Sequence, residues 1–420
     1  MASTPQTANH ATGTRLIWLV ALLALSILLN YVDRGAIGIV APKMKDALGL
    51  SASEFGFAVS AFFWTYAPLC LVMGWLCDRF CVYRIFALGV TIWAVCTFLT
   101  GFVGGLAGLI MLRIGLGIGE AVAFPGSSKI FAAQVPPHKR GIANASVAAA
   151  IAFGPAVGSL AGGTILTLGD WRAVFWLFGA GTLLWLVPWR MVTRPVQSPT
   201  FSHPTVGRLE LGKLLRIRTL WLMGIAHFLS NYGFYFLLTW LPLWLVQTRG
   251  YSIPEMTALT TLGFVVQGVA ALAIGHWSDA QVAAGADEGK LRRKLIVAGH
   301  LAAMLAIAGI FLAQNTWQLA ALLMLAGLGF SQVSTNIFAI GQIFAGPRAT
   351  GGWIGIQNAI GNLSGIIGPI VTGILIDALG SYGWGFALAA GVCAAGALWW
   401  GLVVPEIRQH DGLETAATCA

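Results

Sequence analysis

Long apolar runs separated by short polar stretches constrain this 420-residue chain more than any other feature. Twelve such runs can be distinguished, and their approximate limits are 16–40, 52–76, 84–104, 107–131, 142–167, 173–193, 219–246, 256–277, 294–313, 318–345, 352–377 and 385–404. Each has about 20 residues or more, which as a helix crosses roughly 30 Å of hydrocarbon. The pattern therefore predicts an all-α membrane protein with twelve transmembrane helices.

The composition supports this prediction and argues against other classes of protein. Hydrophobic residues make up 57% of the chain and charged residues 9%, against about 25% charged in a soluble domain. The net charge of +9 lies in short loops, so we expect contact with a lipid bilayer and none with nucleic acid. No nucleotide-binding loop, metal-ligand cluster or nucleophile–base motif stands out. We expect a carrier rather than an enzyme, with no metal and no cofactor other than protons as the coupling ion.

The distribution of lysine and arginine predicts the topology of the chain. These residues concentrate in alternate loops and in the polar stretch 194–218, which places both termini and this stretch in the cytoplasm. We expect an N-terminal six-helix bundle over 1–193, a cytoplasmic linker over 194–218, a second six-helix bundle over 219–404 and a cytoplasmic tail over 405–420. We also expect a monomer in the inner membrane of a bacterium.

The two halves of the chain repeat several signals. The second helix of each half ends in a related stretch, Gly74 to Arg79 in the first half and Gly275 to Asp279 in the second. The fifth helix of each half contains a Gly-Pro pair, at Pro155 and at Pro369. Internal repetition of this kind is typical of a transporter made of two pseudo-symmetric bundles with the substrate between them.

Charged residues after the second helix of each half are candidates for a conformational latch. Their charges can pair with neighbouring helices in one conformation and separate in another, and Gly74 is expected to permit close helix approach. The candidates are Gly74, Asp78, Arg79, Arg84 and Asp279. The alternative is an ordinary positively charged inner loop.

Ionisable residues inside the apolar runs are the strongest indication of a functional site. Asp33 and Arg34 lie side by side in the first run, and each costs roughly 2.5–3.5 kcal/mol at membrane depth even on a lenient scale. Glu120 is the other deep acid, and Arg113 lies two helical turns before it on the same face. Asp33, Glu120 and Arg113 are therefore candidates for proton coupling. Arg34 suits a substrate carboxylate because its planar fork makes two parallel hydrogen bonds. The alternative is an ion pair that only fixes helix packing.

Several motifs resemble known carriers. Residues 74–84, GWLCDRFCVYR, resemble the loop signature of the major facilitator superfamily. NYVDR from Asn30, RIGLGIGEA from Arg113, LTWLP from Leu238 and GNLSGI from Gly361 resemble the anion:cation symporter family, which includes galactonate, glucarate, hexuronate and phthalate-type carriers.

The resemblance implies the major facilitator fold and proton-driven uptake of organic anions. It implies protonation at the residues matching Asp33 and Glu120 and contact with the substrate anion at Arg34. It also implies aromatic hydroxyls near the substrate at Tyr31 and Tyr66.

The second half lacks a deep carboxylate, and we expect its neutral polar residues to recognise substrate hydroxyls. The candidates there are Asn231, Trp240, Thr335, Asn336 and Asn358. Asn358 resembles the position that reads the sugar acid in the family.

These features together predict a proton-coupled symporter that imports an organic anion by alternating access. The expected substrate is a sugar acid such as a hexonate, hexarate or hexuronate. One departure from the family matters, since Ile151 replaces a glutamine typical of sugar-acid carriers. This departure leaves open a carrier of aromatic or other less hydroxylated carboxylates, or an exporter of such compounds.

Overall fold

The computed structural model describes residues 13–136, 139–194 and 211–409, without the side chains of Asp78, Arg140, Leu211, Pro347 and Arg348. These residues form helices and no strands. The first half contains α1 Gly13–Ala47, α2 Ala52–Arg79, α3 Val82–Thr100, α4 Leu106–Gln134, α5 Arg140–Leu168 and α6 Trp171–Thr193. The second contains α7 Arg218–Gln247, α8 Ile253–Ala283, α9 Glu288–Leu312, α10 Thr316–Gly346, α11 Ala349–Leu379 and α12 Gly383–Val403.

Eleven of these helices are long and apolar enough to span a membrane. The helix outside this set, α7, has 30 residues and carries His227, Asn231 and Tyr232 within its apolar run. The predicted helical membrane architecture is thus confirmed. Most of the predicted linker, 195–210, and the tail beyond 409 lie outside the described residues.

Matching caps begin the second helix of each half. At the start of α2 the Ser51 hydroxyl accepts from the Glu54 backbone N–H, and the Glu54 carboxylate accepts from the Ser51 N–H. Ser252 and Glu255 make the same reciprocal cap at the start of α8. This arrangement satisfies backbone donors that a helix start leaves unpaired. The two caps occupy equivalent positions and extend the internal repeat of the sequence.

The break between α10 and α11 is a single glycine. Gly346 has φ +59°, a left-handed conformation that costs little without a Cβ. At this residue the chain therefore kinks and passes from α10 to α11 without a long loop.

Tight glycine contacts bring the two halves together. A Cβ on Gly38 of α1 would overlap the Leu238 carbonyl oxygen of α7, and one on Gly56 of α2 would overlap the Pro369 carbonyl oxygen of α11. On α5, a Cβ on Gly163 would collide with Thr257 of α8. These contacts lie toward the end that holds the α1–α2 and α7–α8 loops, called here the outer end because the lysine and arginine pattern predicts it to be periplasmic.

Hydrogen bonds also join the halves at the outer end. The Asp377 carboxylate at the end of α11 accepts from the backbone N–H groups of Ala52 at 3.1 Å and Ser53 at 2.7 Å, at the start of α2. The Gln247 amide donates to the Asp46 carboxylate at 3.1 Å. The structure is therefore closed at its outer end.

The equivalent glycines Gly74 and Gly275, near the opposite, inner end, make no close contact in the described part of the chain. Among the described residues, no heavy atom of another element lies within 4 Å of a Cβ built on Gly74 or Gly275. Our expectation that Gly74 permits close helix approach is wrong for this conformation. The reason is that its side of α2 faces open space once the halves meet at the other end.

Candidate functional site

Arg34 and Glu120 form a buried ion pair between α1 and α4. Both Nε and Nη2 of Arg34 donate to the same Glu120 oxygen, Oε2, at 3.3 and 3.2 Å. The exposed fractions of the two side chains are 5% and 0%. Glu120 Oε1 is buried and has no hydrogen-bond partner among the described residues. One carboxylate oxygen thus holds the guanidinium while the other is free to accept a proton.

Asp33 lies next to Arg34 in the chain but turns toward α3. Its Oδ2 atom accepts hydrogen bonds from the Trp93 indole N–H and from the Thr97 hydroxyl, the latter at 3.1 Å. Asp33 is buried, so these neutral donors replace water around its carboxylate. Adjacent residues on a helix point about 100° apart, so Arg34 meets Glu120 of α4 while Asp33 is held by α3.

Aromatic rings surround the Arg34 guanidinium. Its Cζ atom lies 4.9 Å from the ring centre of Tyr31, 4.9 Å from that of Phe62 and 4.5 Å from that of Tyr66. The Phe62 and Tyr66 rings stack with centres 5.0 Å apart. Ring faces attract a cation without neutralising it. Tyr31 and Tyr66 therefore lie at the predicted site, as supports for the arginine.

Arg113 is buried on α4 and stands apart from this pair. Its Cζ atom lies 5.3 Å from the ring centre of Phe62, and it has electrostatic interactions with Glu120, Arg34 and Asp33. Its Nε has no hydrogen-bond partner among the described residues. The hydrogen bonds to the Glu120 carboxylate come from Arg34 and not from Arg113 in this conformation.

A cavity lies between the two halves beside these groups, with about 330 Å³ of empty space when the adjoining open solvent is included. Its lining comes from α1, α2, α4, α7 and α11 and consists of Arg34, Ile37, Val59, Phe62, Phe63, Arg113, Tyr235, Leu238, Thr239 and Pro369. The two arginines are its charged groups, and the hydroxyls of Tyr235 and Thr239 are its neutral polar ones. The Tyr235 hydroxyl donates to the Asn362 amide oxygen at 3.0 Å. Two cations and two hydroxyls among apolar walls are the groups that suit a small anion with an apolar body.

The structure places the polar candidates of the second half outside this lining. Asn336 donates to the Gln332 carbonyl at 2.7 Å and accepts from Arg292 at 3.4 Å, so it belongs to a charged cluster toward the inner end. The Thr335 hydroxyl donates to the Ser331 carbonyl at 2.9 Å. Asn231 and Asn358 are half-buried. None of these four residues contributes to the lining of this cavity.

Trp240 is also a wall residue rather than a lining residue. It is fully buried and packs edge-on against Phe55 of α2, with ring centres 5.8 Å apart. It therefore contributes to the closed outer end, where α7 meets α2.

The latch candidates divide between the two halves. Asp279 pairs with Arg292 at 3.3 Å, and Arg292 also pairs with Glu288 at 2.7 Å. Arg79 is exposed and lies over the Trp75 ring at 5.4 Å, and Arg84 is exposed. The Asp78 side chain lies outside the described residues. A charge cluster is thus visible at the inner end of the second half.

Sequence reasoning missed several residues that shape the site. Trp93 and Thr97 hold Asp33, and Phe62 contacts both arginines. A tryptophan and a threonine four residues apart on α3 share one face, and this spacing could have predicted a pair of hydrogen-bond donors there. No sequence pattern could have predicted the role of Phe62, because phenylalanine is common throughout the apolar runs.

The arrangement of two six-helix halves around a charged cavity agrees with a sequence profile of the Major Facilitator Superfamily, which matches residues 23–280 and 250–417. The chain belongs to the major facilitator superfamily. The predicted transporter, rather than enzyme, is confirmed by this membership.

Within the superfamily, several named relatives match almost the whole chain. A probable galactarate/D-glucarate transporter of Bacillus subtilis is 28% identical, with 96% of this chain and 94% of the relative covered. A probable sulfoacetate transporter of Cupriavidus necator is 27% identical, with coverage of 90% and 92%. The hexuronate transporter of Bacillus subtilis is 26% identical, with coverage of 90% and 92%. The resemblance to anion carriers drawn from the motifs is thus confirmed.

The fold is similar to a solved superfamily structure. A bacterial homologue of the human lysosomal transporter Spinster, in an inward-facing and unoccupied conformation, superposes with a TM-score of 0.80. The sequences are 18% identical, and the match covers 94% of this chain and 98% of the other. This likeness supports the fold alone.

Proposed function

We propose that this protein is a proton-coupled symporter that imports an organic anion across the bacterial inner membrane, with both termini in the cytoplasm. The observation that carries the proposal is the buried Arg34–Glu120 pair beside the cavity. The named relatives that carry galactarate, glucarate, hexuronate and sulfoacetate support the choice of an organic anion. The distribution of lysine and arginine supports the orientation.

The pair explains how a proton and an anion would be coupled. In the empty site, Glu120 neutralises Arg34. Protonation of Glu120 removes that negative charge and frees the guanidinium for a substrate carboxylate. Since the two anions compete for one guanidinium, proton binding raises the affinity for substrate, and by linkage substrate binding raises the affinity for the proton. Asp33, beside Arg34, is a second proton site held by Trp93 and Thr97.

Alternating access would then carry both ligands. The closed outer end opens when its contacts between the halves break, and the site loads from the periplasm. The charge cluster of Asp279 and Arg292, together with Gly74, Asp78, Arg79 and Arg84, is proposed to latch the inner end in that state. Proton release to the cytoplasm restores the Arg34–Glu120 pair and expels the anion.

The cavity lining bears on the choice between a sugar acid and a less hydroxylated acid. A sugar acid needs several hydrogen-bonding groups around its hydroxyls. The neutral polar groups in the cavity lining are two hydroxyls, those of Tyr235 and Thr239. Ile151 packs in an apolar cluster with Tyr31 and Phe124. These observations favour the second candidate, a carboxylate with few hydroxyls, over the sugar acid that the motifs suggest.

The test is uptake into proteoliposomes under an imposed pH gradient, acid outside. We expect accumulation of an organic acid by the natural protein, and loss of accumulation in Glu120→Gln with exchange of internal for external acid retained. Glutamine keeps the shape of the side chain but cannot cycle a proton. Glu255→Gln, which alters an exposed helix cap, serves as the control. Accumulation by Glu120→Gln equal to that of the natural protein would exclude the coupling role.

A further inference from the structure

Arg113 is a buried charge that the proposed coupling does not use. Its exposed fraction is 4%, it lines the central cavity, and its Nε is unpaired within the described chain. The two deep acids are engaged elsewhere, Glu120 by Arg34 and Asp33 by Trp93 and Thr97. A buried charge without a hydrogen-bonded partner is destabilising. Such a group is stabilised when an anion enters the cavity.

We propose that Arg113 is a second anion-binding group and that the substrate is a compact dianion with few hydroxyls, bound by Arg34 at one acidic group and by Arg113 at the other. This inference rests on the proposed function and specifies its substrate class. A short dicarboxylate or a sulfonated carboxylate has the required chemistry.

Phe62 makes a bridging ligand possible. Its ring centre lies 4.9 Å from the Arg34 guanidinium carbon and 5.3 Å from that of Arg113. Both cations are thus held against one ring, close enough for one small molecule to reach. Because a ring face attracts cations without accepting a salt bridge, it leaves the donors of Arg113 available to a ligand, and those of Arg34 become available once Glu120 is protonated.

The rest of the lining selects for a small and apolar connection between the two acidic groups. The cavity is a narrow space between packed helices in this conformation, and most of its lining is apolar. Ile37, Val59 and Leu238 contribute aliphatic walls. A chain of hydroxyls would leave most of its polar groups unpaired there, which costs affinity.

Charge balance predicts how many protons accompany the substrate. The empty site holds two guanidinium groups, Arg34 and Arg113, and two carboxylates, Asp33 and Glu120, so its net charge is zero. A dianion adds two negative charges, and protonation of both carboxylates restores neutrality. Moving a neutral loaded site through a low-dielectric region avoids the cost of an unbalanced charge. We therefore expect two protons for each dianion and no net charge movement.

The experiment compares matched acids on the purified full-length protein. Dissociation constants are measured for unbranched dicarboxylates of three to six carbons, for monocarboxylates of the same lengths, and for tartrate as a hydroxylated partner of succinate. We expect the best dicarboxylate to bind at least ~10-fold tighter than its monocarboxylate, equivalent to about 1.4 kcal/mol, and tartrate to bind no tighter than succinate. Equal binding of both charge classes, or tighter binding of tartrate, would overturn the proposal.

Variants of Arg113 assign that preference to one residue. In Arg113→Gln the ratio between the two dissociation constants should fall below about 3-fold, and Arg113→Lys should keep part of it because the charge remains. Arg172→Gln, which removes an arginine from the first turn of α6 at the outer end, is the control and should keep the full ratio. A ratio within one variant does not depend on the folded fraction of the sample. An unchanged ratio in Arg113→Gln would refute the second subsite.

Proteoliposomes separate this inference from the proposed function. With a fixed pH gradient, an imposed membrane potential should change the rate of dicarboxylate uptake less than about 2-fold, because the loaded protein moves no net charge. Strong stimulation of uptake by the potential would refute the ratio of two protons to one dianion. Dianion binding without proton-driven uptake would refute the proposed function but support the Arg113 subsite. Proton-driven uptake of monocarboxylates without a preference for dianions would refute the Arg113 subsite but support the proposed function.

Discussion

Asp33 and Glu120 are both buried acids near arginine, but their partners differ. Glu120 receives two charged N–H donors from Arg34, whereas Asp33 receives a neutral indole N–H and a hydroxyl. Neutral donors hold a carboxylate in place without cancelling its charge. The two proposed proton sites therefore occupy distinct environments, and the hydrogen bonds of α3 decide where the Asp33 carboxylate points.

This view of Asp33 predicts the effect of Trp93→Phe. The substitution removes the indole N–H that donates to the buried Asp33 carboxylate. A hydrogen bond to a charged group contributes about 1.5–3 kcal/mol to stability. We expect a lower melting temperature in detergent and an altered pH dependence of uptake, because the preferred protonation of Asp33 changes when a donor is lost.

Trp189→Phe is the matched control. Its buried indole donates to the Tyr83 backbone carbonyl at 3.2 Å, so the control also loses a buried hydrogen bond but involves no titrating group. We expect a lower melting temperature with an unchanged pH profile. Identical pH profiles in both variants would show that Trp93 has no specific effect on Asp33.

At the scale of helices, contacts between the halves rest on glycine. Gly38 and Gly56 face carbonyl oxygens of the opposite half so closely that neither position accepts a Cβ without movement. Small residues of this kind let helix backbones approach within a membrane. The helices of the two halves can consequently meet at the outer end without side chains between them.

Gly56→Ala tests this contact. The added methyl group would overlap the Pro369 carbonyl oxygen of α11, and overpacking of this kind costs about 1–3 kcal/mol. We expect a lower melting temperature and slower uptake, since the outer end closes less well. Gly74→Ala lies on the same helix and meets no atom within 4 Å, so it should keep or raise the melting temperature, since alanine is the better helix former. Equal destabilisation by both would indicate an effect on helix α2 itself.

At the scale of the whole molecule, closure of the outer end depends on a few polar links. Asp377 of α11 caps the N-terminus of α2 across the interface, where the helix dipole favours a negative charge. Gln247 links Asp46 of α1 to Tyr382, which donates to it at 3.0 Å. A transporter needs such links to be weak enough to break in every cycle, and a few exposed hydrogen bonds meet that requirement.

Asp377→Asn should shift the molecule toward an outward-open state. Asparagine loses the charge and one of the two acceptor oxygens, so the link between α11 and α2 weakens. The measurement is the labelling rate of a cysteine introduced at Ile37, in a chain whose natural cysteines are replaced, by an impermeant thiol reagent added outside. We expect a several-fold faster rate.

Glu54→Gln provides the comparison for Asp377, because Glu54 caps the same helix N-terminus from within its own half. It should leave the labelling rate unchanged. Equal acceleration by both variants would mean that any disturbance of the α2 start opens the outer end, and no acceleration by Asp377→Asn would exclude a link role.

The sequence by itself determined the membrane helices, the repeat of two halves and the identity of the buried charges at Asp33, Arg34, Arg113 and Glu120. These features are legible because hydrocarbon penalises every charge and every unpaired backbone group, so each exception to an apolar run stands out.

Only the tertiary structure decided how those charges are paired. Spacing along α1 shows that Asp33 and Arg34 point in different directions, but the atoms they meet belong to α3 and α4. The same holds for Phe62 beneath both arginines and for the amides of α10 and α11, which lie outside the cavity lining. Helical periodicity determines a direction within one element, whereas the partner in that direction depends on how separate helices pack, and no local pattern in the chain encodes that packing.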